Sequence, residues 1–125
     1  MVDINRFFEI LTDVCDELPD EFFHDLHHSV VLDEGLKISP YATSEDLVIM
    51  GEYQRLHIGN RIVIYYGSFV RTCPTLSEEQ LKDRIREVVR HEFRHHMEFR
   101  AGAHGVDSLE REDYLQLKEY LRKSR

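Results

Sequence analysis

The sequence lacks the features of secreted and membrane proteins. Its 125 residues include two cysteines, three prolines and no tryptophan. Cys15 and Cys73 alone cannot form a disulfide framework. The chain opens on Met1-Val2-Asp3 without a basic-then-apolar leader pattern, and no apolar run approaches the roughly 18–20 residues that span a bilayer. We therefore expect a cytoplasmic protein with reduced thiols and no membrane partner.

Basic charge is also scarce. The chain has 16 lysines and arginines against 24 aspartates and glutamates, which gives a formal net charge of -8. Nucleic-acid binding needs a clustered basic surface that neutralises phosphates. The arginines at positions 84, 86, 90, 94 and 100 are interleaved with acidic residues, so they indicate a solvated helix face. The balance of charge excludes nucleic acid as an expected partner.

Length and periodicity predict one small α+β domain that covers residues 1–125. Apolar residues at helical spacing predict a helix over residues 4–18 and a shorter one over 20–27, after Pro19. Short β-favouring runs at 30–32, 47–50 and 62–66 predict three strands, the last two as a hairpin with a longer loop. The expected architecture is a small sheet with helices on one side.

The helical period returns after the strands. Ser77 and Gln80 form a capping-box pattern that opens a long helix, which should end near Ala101 because Gly102 follows. A last helix is expected after a cap at Asp107 or Ser108. Its apolar face would be formed by Leu109, Tyr114, Leu117 and Leu121.

The long helix contains the motif HExxH, with His91, Glu92 and His95 as its defined positions. At 100° per residue, His95 falls ~40° from His91, so both imidazoles project from one side of the helix, one turn apart. Two ring nitrogens so placed can reach one zinc ion at about 2.0–2.1 Å. The spacing predicts that His91 and His95 bind Zn²⁺.

Glu92 lies ~100° from His91 on the same wheel, in the middle of the apolar stripe. That stripe is formed by Leu81, Ile85, Val88, Val89 and Phe99. Burying an unpaired carboxylate costs several kcal/mol, and a general base beside a metal-activated water explains its position. The alternative is a set of polar groups satisfied at a helix–sheet contact.

The other histidines are less informative. His96 falls ~140° from His91, on the buried side but away from the predicted ligands. We interpret it as a core histidine that is hydrogen-bonded to the backbone. His24, His27 and His28 end the short second helix and are expected to be exposed, with a peripheral metal contact as the alternative.

A catalytic zinc usually has three protein ligands and one open position. Glu98 is seven residues past His91, about 10 Å along the helix axis, too far to share one ion with both histidines. The third ligand should therefore follow the helix. Asp107 is the candidate, since five residues past Gly102 span up to roughly 16 Å. Its other role would be a helix cap, and His104 and Glu110 are the alternative ligands.

Two stretches resemble the small bacterial zincin-like metallopeptidase family. They are RIVIYYGSFVR at 61–71 and the segment from Ser77 to His96, which ends in HEFRHH. The opening is similar as well, with FFE at 7–9 and ELPDEF at 17–22. The resemblance implies a minimal zincin fold and a peptidase activity. Zincins bind an extended peptide along an edge strand beside the metal, and the strand at 62–66 is the candidate here.

These observations predict a zinc-dependent metallopeptidase that hydrolyses extended or unfolded peptide segments. His91, His95 and Asp107 would bind zinc, and Glu92 would be the general base. The alternatives are a non-catalytic zincin-like domain that binds a metal or a partner, and a structural adaptor in which the motif is accidental.

Overall fold

The first helix, α1 (Ile4–Asp16), begins at a capping aspartate. In the computed structural model, which describes residues 1–40 and 47–102, the Asp3 carboxylate accepts a hydrogen bond from the backbone N–H of Arg6 at 2.8 Å. This contact satisfies one of the N–H groups that a helix N-terminus leaves without a helical partner. The buried face of α1 is formed by Phe7, Ile10, Leu11 and Val14. The prediction of a helix here is confirmed.

Five strands follow. They are β1 (Val30–Asp33), β2 (Lys37–Ile38), β3 (Val48–Ile49), β4 (Gly51–Leu56) and β5 (Gly59–Tyr65). The main sheet has the order β1-β5-β4, with β1 parallel and β4 antiparallel to β5. β2 and β3 form a separate antiparallel pair. Strand β5 is therefore the centre of a mixed three-stranded sheet.

The hairpin differs from its prediction. The run at 47–50 contains β3 and stops where β4 begins, so the antiparallel partner of β5 is a strand that the sequence pattern missed. Leu56 pairs with Gly59, which leaves a connection of two residues instead of a longer loop. The pattern failed because Glu52, Gln54 and Arg55 make β4 polar, as is common for a strand at a sheet edge.

Two helical segments also differ. The predicted helix at 20–27 is a 3-10 turn, Asp20–Phe23, after which Asp25 and Ser29 adopt φ values of 64° and 58° that end any helix. A short helix, α2 (Tyr66–Thr72), was not predicted and follows β5 directly. The N–H of Gly67 in α2 donates to the carbonyl of Gly35 at 2.9 Å. That contact joins distant parts of the chain, and local periodicity does not reveal it.

The long helix, α3 (Glu78–Arg100), has the predicted start and end. Ser77 and Gln80 form both hydrogen bonds of a capping box, and Gly102 adopts φ 72°, where a left-handed residue commonly ends a helix. The expected last helix after residue 106 lies outside the described residues.

Helix α3 packs against β4 and β5, and α1 packs against α3. One hydrophobic cluster joins the two helices to the sheet. Among the described helices, none combines the length and the apolar character needed to cross a bilayer. The architecture is α+β with a mixed three-stranded sheet, as the sequence predicted.

Candidate metal centre

The motif residues lie in the second half of α3. The capping box and the two glutamates of its first turn stabilise the start of this helix. Its buried stripe includes Leu81, Ile85, Val88 and Val89, as predicted, and Phe93 in addition. Phe93 contacts the ring of Phe23 from the 3-10 turn, with centroids 5.0 Å apart. Packing on two sides therefore fixes the rotation of α3, and with it the direction of the motif side chains.

The two motif histidines converge. Nε2 of His91 and Nε2 of His95 are 3.0 Å apart, and the ring planes meet at 84°. Two ligands of a tetrahedral zinc ion, each at about 2.05 Å, would be separated by about 3.3 Å. His95 is fully buried and His91 is partly exposed. The pair therefore fits one metal ion with almost no rearrangement, and it leaves an approach from solvent on the His91 side.

Glu92 is buried, with 2% of its surface exposed. The neighbours that share its face of α3 include Val88, at 6% exposure, and Val89, at 0%. Burial of a carboxylate is costly unless it is paired or serves a function. The predicted position of Glu92 within the apolar stripe is confirmed.

A second carboxylate lies behind His95. Oε2 of Glu98 is 3.5 Å from Nδ1 of His95, the ring nitrogen that does not face His91. Oε1 of Glu98 is 3.7 Å from Nε of Arg94. Glu98 therefore meets the other edge of the His95 ring, in agreement with the expectation that it does not share an ion with both histidines. Its contact with His95 was not foreseen, although the i,i+3 spacing on one helix would have indicated it.

His96 belongs to a separate polar network. Nε2 of His96 is 2.8 Å from the carbonyl oxygen of His24, and Nδ1 is 2.7 Å from the hydroxyl of Tyr53. The amide of Asn60 donates to the same hydroxyl at 2.7 Å. Burial lowers the pKa of His96, despite the opposing effect of its contact with His24. Both ring nitrogens are engaged, so His96 is the backbone-bonded core histidine that was predicted.

The site lies beside the edge strand β4. Tyr53 of β4 contacts the rings of His96 and Phe99 on α3, at centroid distances of 5.2 and 6.1 Å. Val88 and Phe99, at ~60° and ~80° on the helix wheel, face β4, and His91 and His95 follow at ~0° and ~40°. The histidines therefore emerge on the side of α3 that adjoins β4.

The strand proposed for peptide binding is not available. Residues 62–65 belong to β5, which pairs with β1 on one side and β4 on the other. A strand paired on both sides has no backbone groups left for an added peptide. Within residues 1–40 and 47–102, β4 pairs only with β5. The edge beside the helix that carries the motif is thus β4 and not the strand at 62–66.

The other residues predicted for the site include some that the structure does not describe. Asp107, His104 and Glu110 lie outside the described residues, so the third ligand stays a prediction. The part of the chain that the structure describes contains no cluster of three or more His, Cys, Asp or Glu residues able to hold a metal. His24, His27 and His28 are exposed, as expected.

The fold and the motif define a small α+β protein whose longest described helix presents two converging imidazoles beside a mixed sheet. Comparison with known proteins agrees. The model of the zincin-like metallopeptidase family matches residues 39–112, more than half of the chain, so the protein belongs to that family. No functionally curated protein matches the chain.

A solved structure is similar as well. It is a conserved hypothetical protein from Thermus thermophilus, with a TM-score of 0.67 and 25% sequence identity. The match covers 82% of this chain and 100% of that one. The similarity extends through most of the fold, and no activity is assigned to that protein.

Proposed function

We propose that the protein is a zinc-dependent metallopeptidase, with His91 and His95 as zinc ligands and Glu92 as general base. The observation that supports this most is the 3.0 Å separation of the two Nε2 atoms beside a carboxylate that is 2% exposed. A structural helix–sheet contact would not require two imidazoles to direct the same nitrogen at one point. Asp107 is proposed as the third ligand.

Zinc bound at this site would act as a Lewis acid and lower the pKa of a coordinated water. Glu92 would accept the proton of the attacking water and later donate it to the leaving nitrogen, so that the proton balance closes within one turnover. The burial of Glu92 supports this role, since electrostatic interactions are stronger where water is excluded.

We propose an extended peptide or unfolded protein segment as the substrate. Such a segment could add to β4 as a further strand, because backbone hydrogen bonds at a sheet edge bind peptides of varied sequence. The adjacency of β4 to the His91 side of α3 supports this placement. The composition and the reduced state of Cys15 and Cys73 support a cytoplasmic location.

The decisive experiment compares Glu92→Gln with wild type after removal and reloading of metal. Zinc content is measured by calorimetry, and turnover is measured on a broad library of quenched fluorescent peptides. We expect about one zinc per chain in both proteins and at least ~100-fold lower activity in the variant, because a general base is lost. Glu79→Gln, an exposed change on the same helix, is the matched control and should retain full activity.

The outcomes separate the competing functions. Wild type that binds zinc but cleaves no peptide in the library would favour a non-catalytic zincin-like domain. If wild type binds no zinc, the result would favour a structural protein in which the HExxH motif is accidental. Glu92→Gln with wild-type turnover would remove Glu92 from the catalytic role.

A further inference from the structure

We propose that Glu98 is a positioning residue, which orients the imidazole of His95 and fixes the hydrogen on its Nδ1 atom. The proposal rests on the zinc site described above and adds to it a residue outside the motif. Its basis is the contact of 3.5 Å between Oε2 of Glu98 and Nδ1 of the fully buried His95.

The two edges of the His95 ring face different partners. Nε2 faces Nε2 of His91, whereas Nδ1 faces Glu98. The carboxylate thus lies across the ring from the expected metal position. Its separation from Nδ1 is longer than an ordinary hydrogen bond of about 2.7–3.2 Å, so a hydrogen bond between the two atoms requires a closer approach. Glu98 therefore acts on the ligand and not on the ion.

The tautomer of His95 determines whether its Nε2 atom can bind a metal. A neutral imidazole has one N–H, and Nε2 can bind a metal only when the hydrogen is on Nδ1. A carboxylate close enough to accept that hydrogen favours the binding tautomer and raises the basicity of Nε2. Residues in this role commonly alter metal affinity about 10–100-fold.

Arg94 contributes to the orientation of the Glu98 carboxylate. Arg94, one turn earlier on α3, has its Nε atom 3.7 Å from Oε1, while Oε2 faces His95. The guanidinium therefore attracts one carboxylate oxygen and leaves the other toward the ring. An exposed i,i+4 ion pair by itself adds only about 0.3–0.5 kcal/mol to stability. A purely structural role for Glu98 would consequently have little effect on either stability or zinc affinity.

The test measures zinc affinity by competition with a chromophoric chelator in Glu98→Ala, Glu98→Gln and wild type. We expect Glu98→Ala to bind zinc about 10–100-fold more weakly with the metal-free melting temperature unchanged. Glu98→Gln should stay within about threefold of wild type, since its amide oxygen still accepts a hydrogen bond. Glu87→Ala is the matched control, because it removes an exposed carboxylate from the same helix.

A second readout does not need metal. Long-range ¹H–¹⁵N correlation spectra of the metal-free protein identify which nitrogen of His95 bears the hydrogen. Glu98→Ala should shift His95 away from the Nδ1–H form, and Glu87→Ala should not. This measurement tests Glu98 even if wild type binds no zinc, a result that would overturn the proposed metallopeptidase function but not the positioning role.

Three results would overturn the role of Glu98. The first is that Glu98→Ala has the same zinc affinity as wild type and the same tautomer of His95. The second is an equal loss of affinity in Glu98→Gln and Glu98→Ala, which would assign the effect to charge alone. The third is an equal loss in Glu87→Ala, which would assign it to the overall field of the helix.

Discussion

The hydroxyl of Tyr53 lies 2.7 Å from Nδ1 of His96, at the contact between the edge strand β4 and helix α3, which carries the HExxH motif. The hydrogens in this network can be assigned. The carbonyl of His24 only accepts, so Nε2 of His96 donates to it, and Nδ1 then accepts from Tyr53. The oxygen of Tyr53 in turn accepts from the amide of Asn60. The network joins β4, β5, α3 and the segment after the 3-10 turn. Its histidine, His96, is the residue that follows His95 in the sequence.

Replacement of Tyr53 by Phe should destabilise the fold. Nδ1 of His96 and the amide of Asn60 would remain buried without this partner, at a cost of about 1–3 kcal/mol. Urea denaturation measures the loss. Tyr66→Phe is the control, because its hydroxyl contacts a backbone carbonyl near the N-terminus, at Val2. It should lower the free energy of unfolding by about 1 kcal/mol or less. An equal loss in both variants would show that the Tyr53 network adds no more to stability than a single hydrogen bond to the backbone.

Metal removal should lower the stability of wild type but not of variants without the ligands. A ligand that binds only the folded state stabilises it by about 2.7 kcal/mol at a free concentration about 100 times its Kd. We expect zinc to raise the melting temperature of wild type, and we expect His91→Ala and His95→Ala to lose that increase. His57→Ala, which changes an exposed histidine in a turn, should retain it. An increase of the same size in all four proteins would place the zinc elsewhere.

Gly51 of β4 lies close to Val88 of α3. A Cβ atom at this position would lie 2.8 Å from Cγ1 of Val88 and 3.0 Å from Cδ1 of Ile64. Gly51→Ala should therefore cost about 1–3 kcal/mol through overpacking. The double variant with Val88→Ala should cost less than the sum of the two single changes, because the second change removes the contacted methyl group. Additive losses in urea denaturation would contradict the proposed contact.

Cys15 should react slowly in the folded protein. Burial, aided by the nearby charge of Asp16, raises the pKa of its thiol from 9.0 to about 11. Only the thiolate is nucleophilic, so at about pH 8 its alkylation should be roughly 100-fold slower than in urea-unfolded protein, and the rate should rise about tenfold per pH unit up to about pH 11. Mass spectrometry distinguishes Cys15 from Cys73. Equal rates in folded and unfolded protein would show that the thiol is not protected.

The sequence predicted those elements that local signals determine. The capping box at Ser77 located the start of α3, and the wheel position of Glu92 anticipated its burial, because a regular helix transmits sequence spacing directly into geometry. The contact between Glu98 and His95 was not predicted, although the same spacing would have indicated it. The convergence of the His91 and His95 nitrogens could therefore be predicted from their separation along the helix.

The elements that tertiary contacts determine were missed. Strand β4 has polar residues on the face away from α3, so its alternation includes Glu52 and Gln54 and did not resemble a buried strand. Helix α2 depends on Gly67, whose backbone meets that of Gly35 across a sequence gap. The role of Tyr53 was hidden for the same reason, since its contact with His96 exists only once β4 lies on α3.

The third zinc ligand is the remaining prediction, and it falls on residue 107, outside the described residues. His91 and His95 are proposed as two ligands, on the 3.0 Å separation of their Nε2 atoms, and a catalytic zinc usually takes three from the protein. Glu98 contacts the opposite edge of the His95 ring, which favours a ligand from beyond Gly102. Asp107→Ala should therefore weaken zinc binding strongly, whereas His104→Ala and Glu110→Ala should not.

Because Asp107 can also cap a helix, Asp107→Asn provides the distinction. Asparagine retains the capping ability but is a weaker, neutral ligand. We expect Asp107→Asn to keep the metal-free melting temperature and to lose zinc affinity nearly as much as Asp107→Ala. If Asp107→Asn binds zinc like wild type while Asp107→Ala only loses stability, the residue is a cap, and His104 and Glu110 become the candidates. A metal-bound structure with zinc more than about 4 Å from Asp107 would lead to the same conclusion.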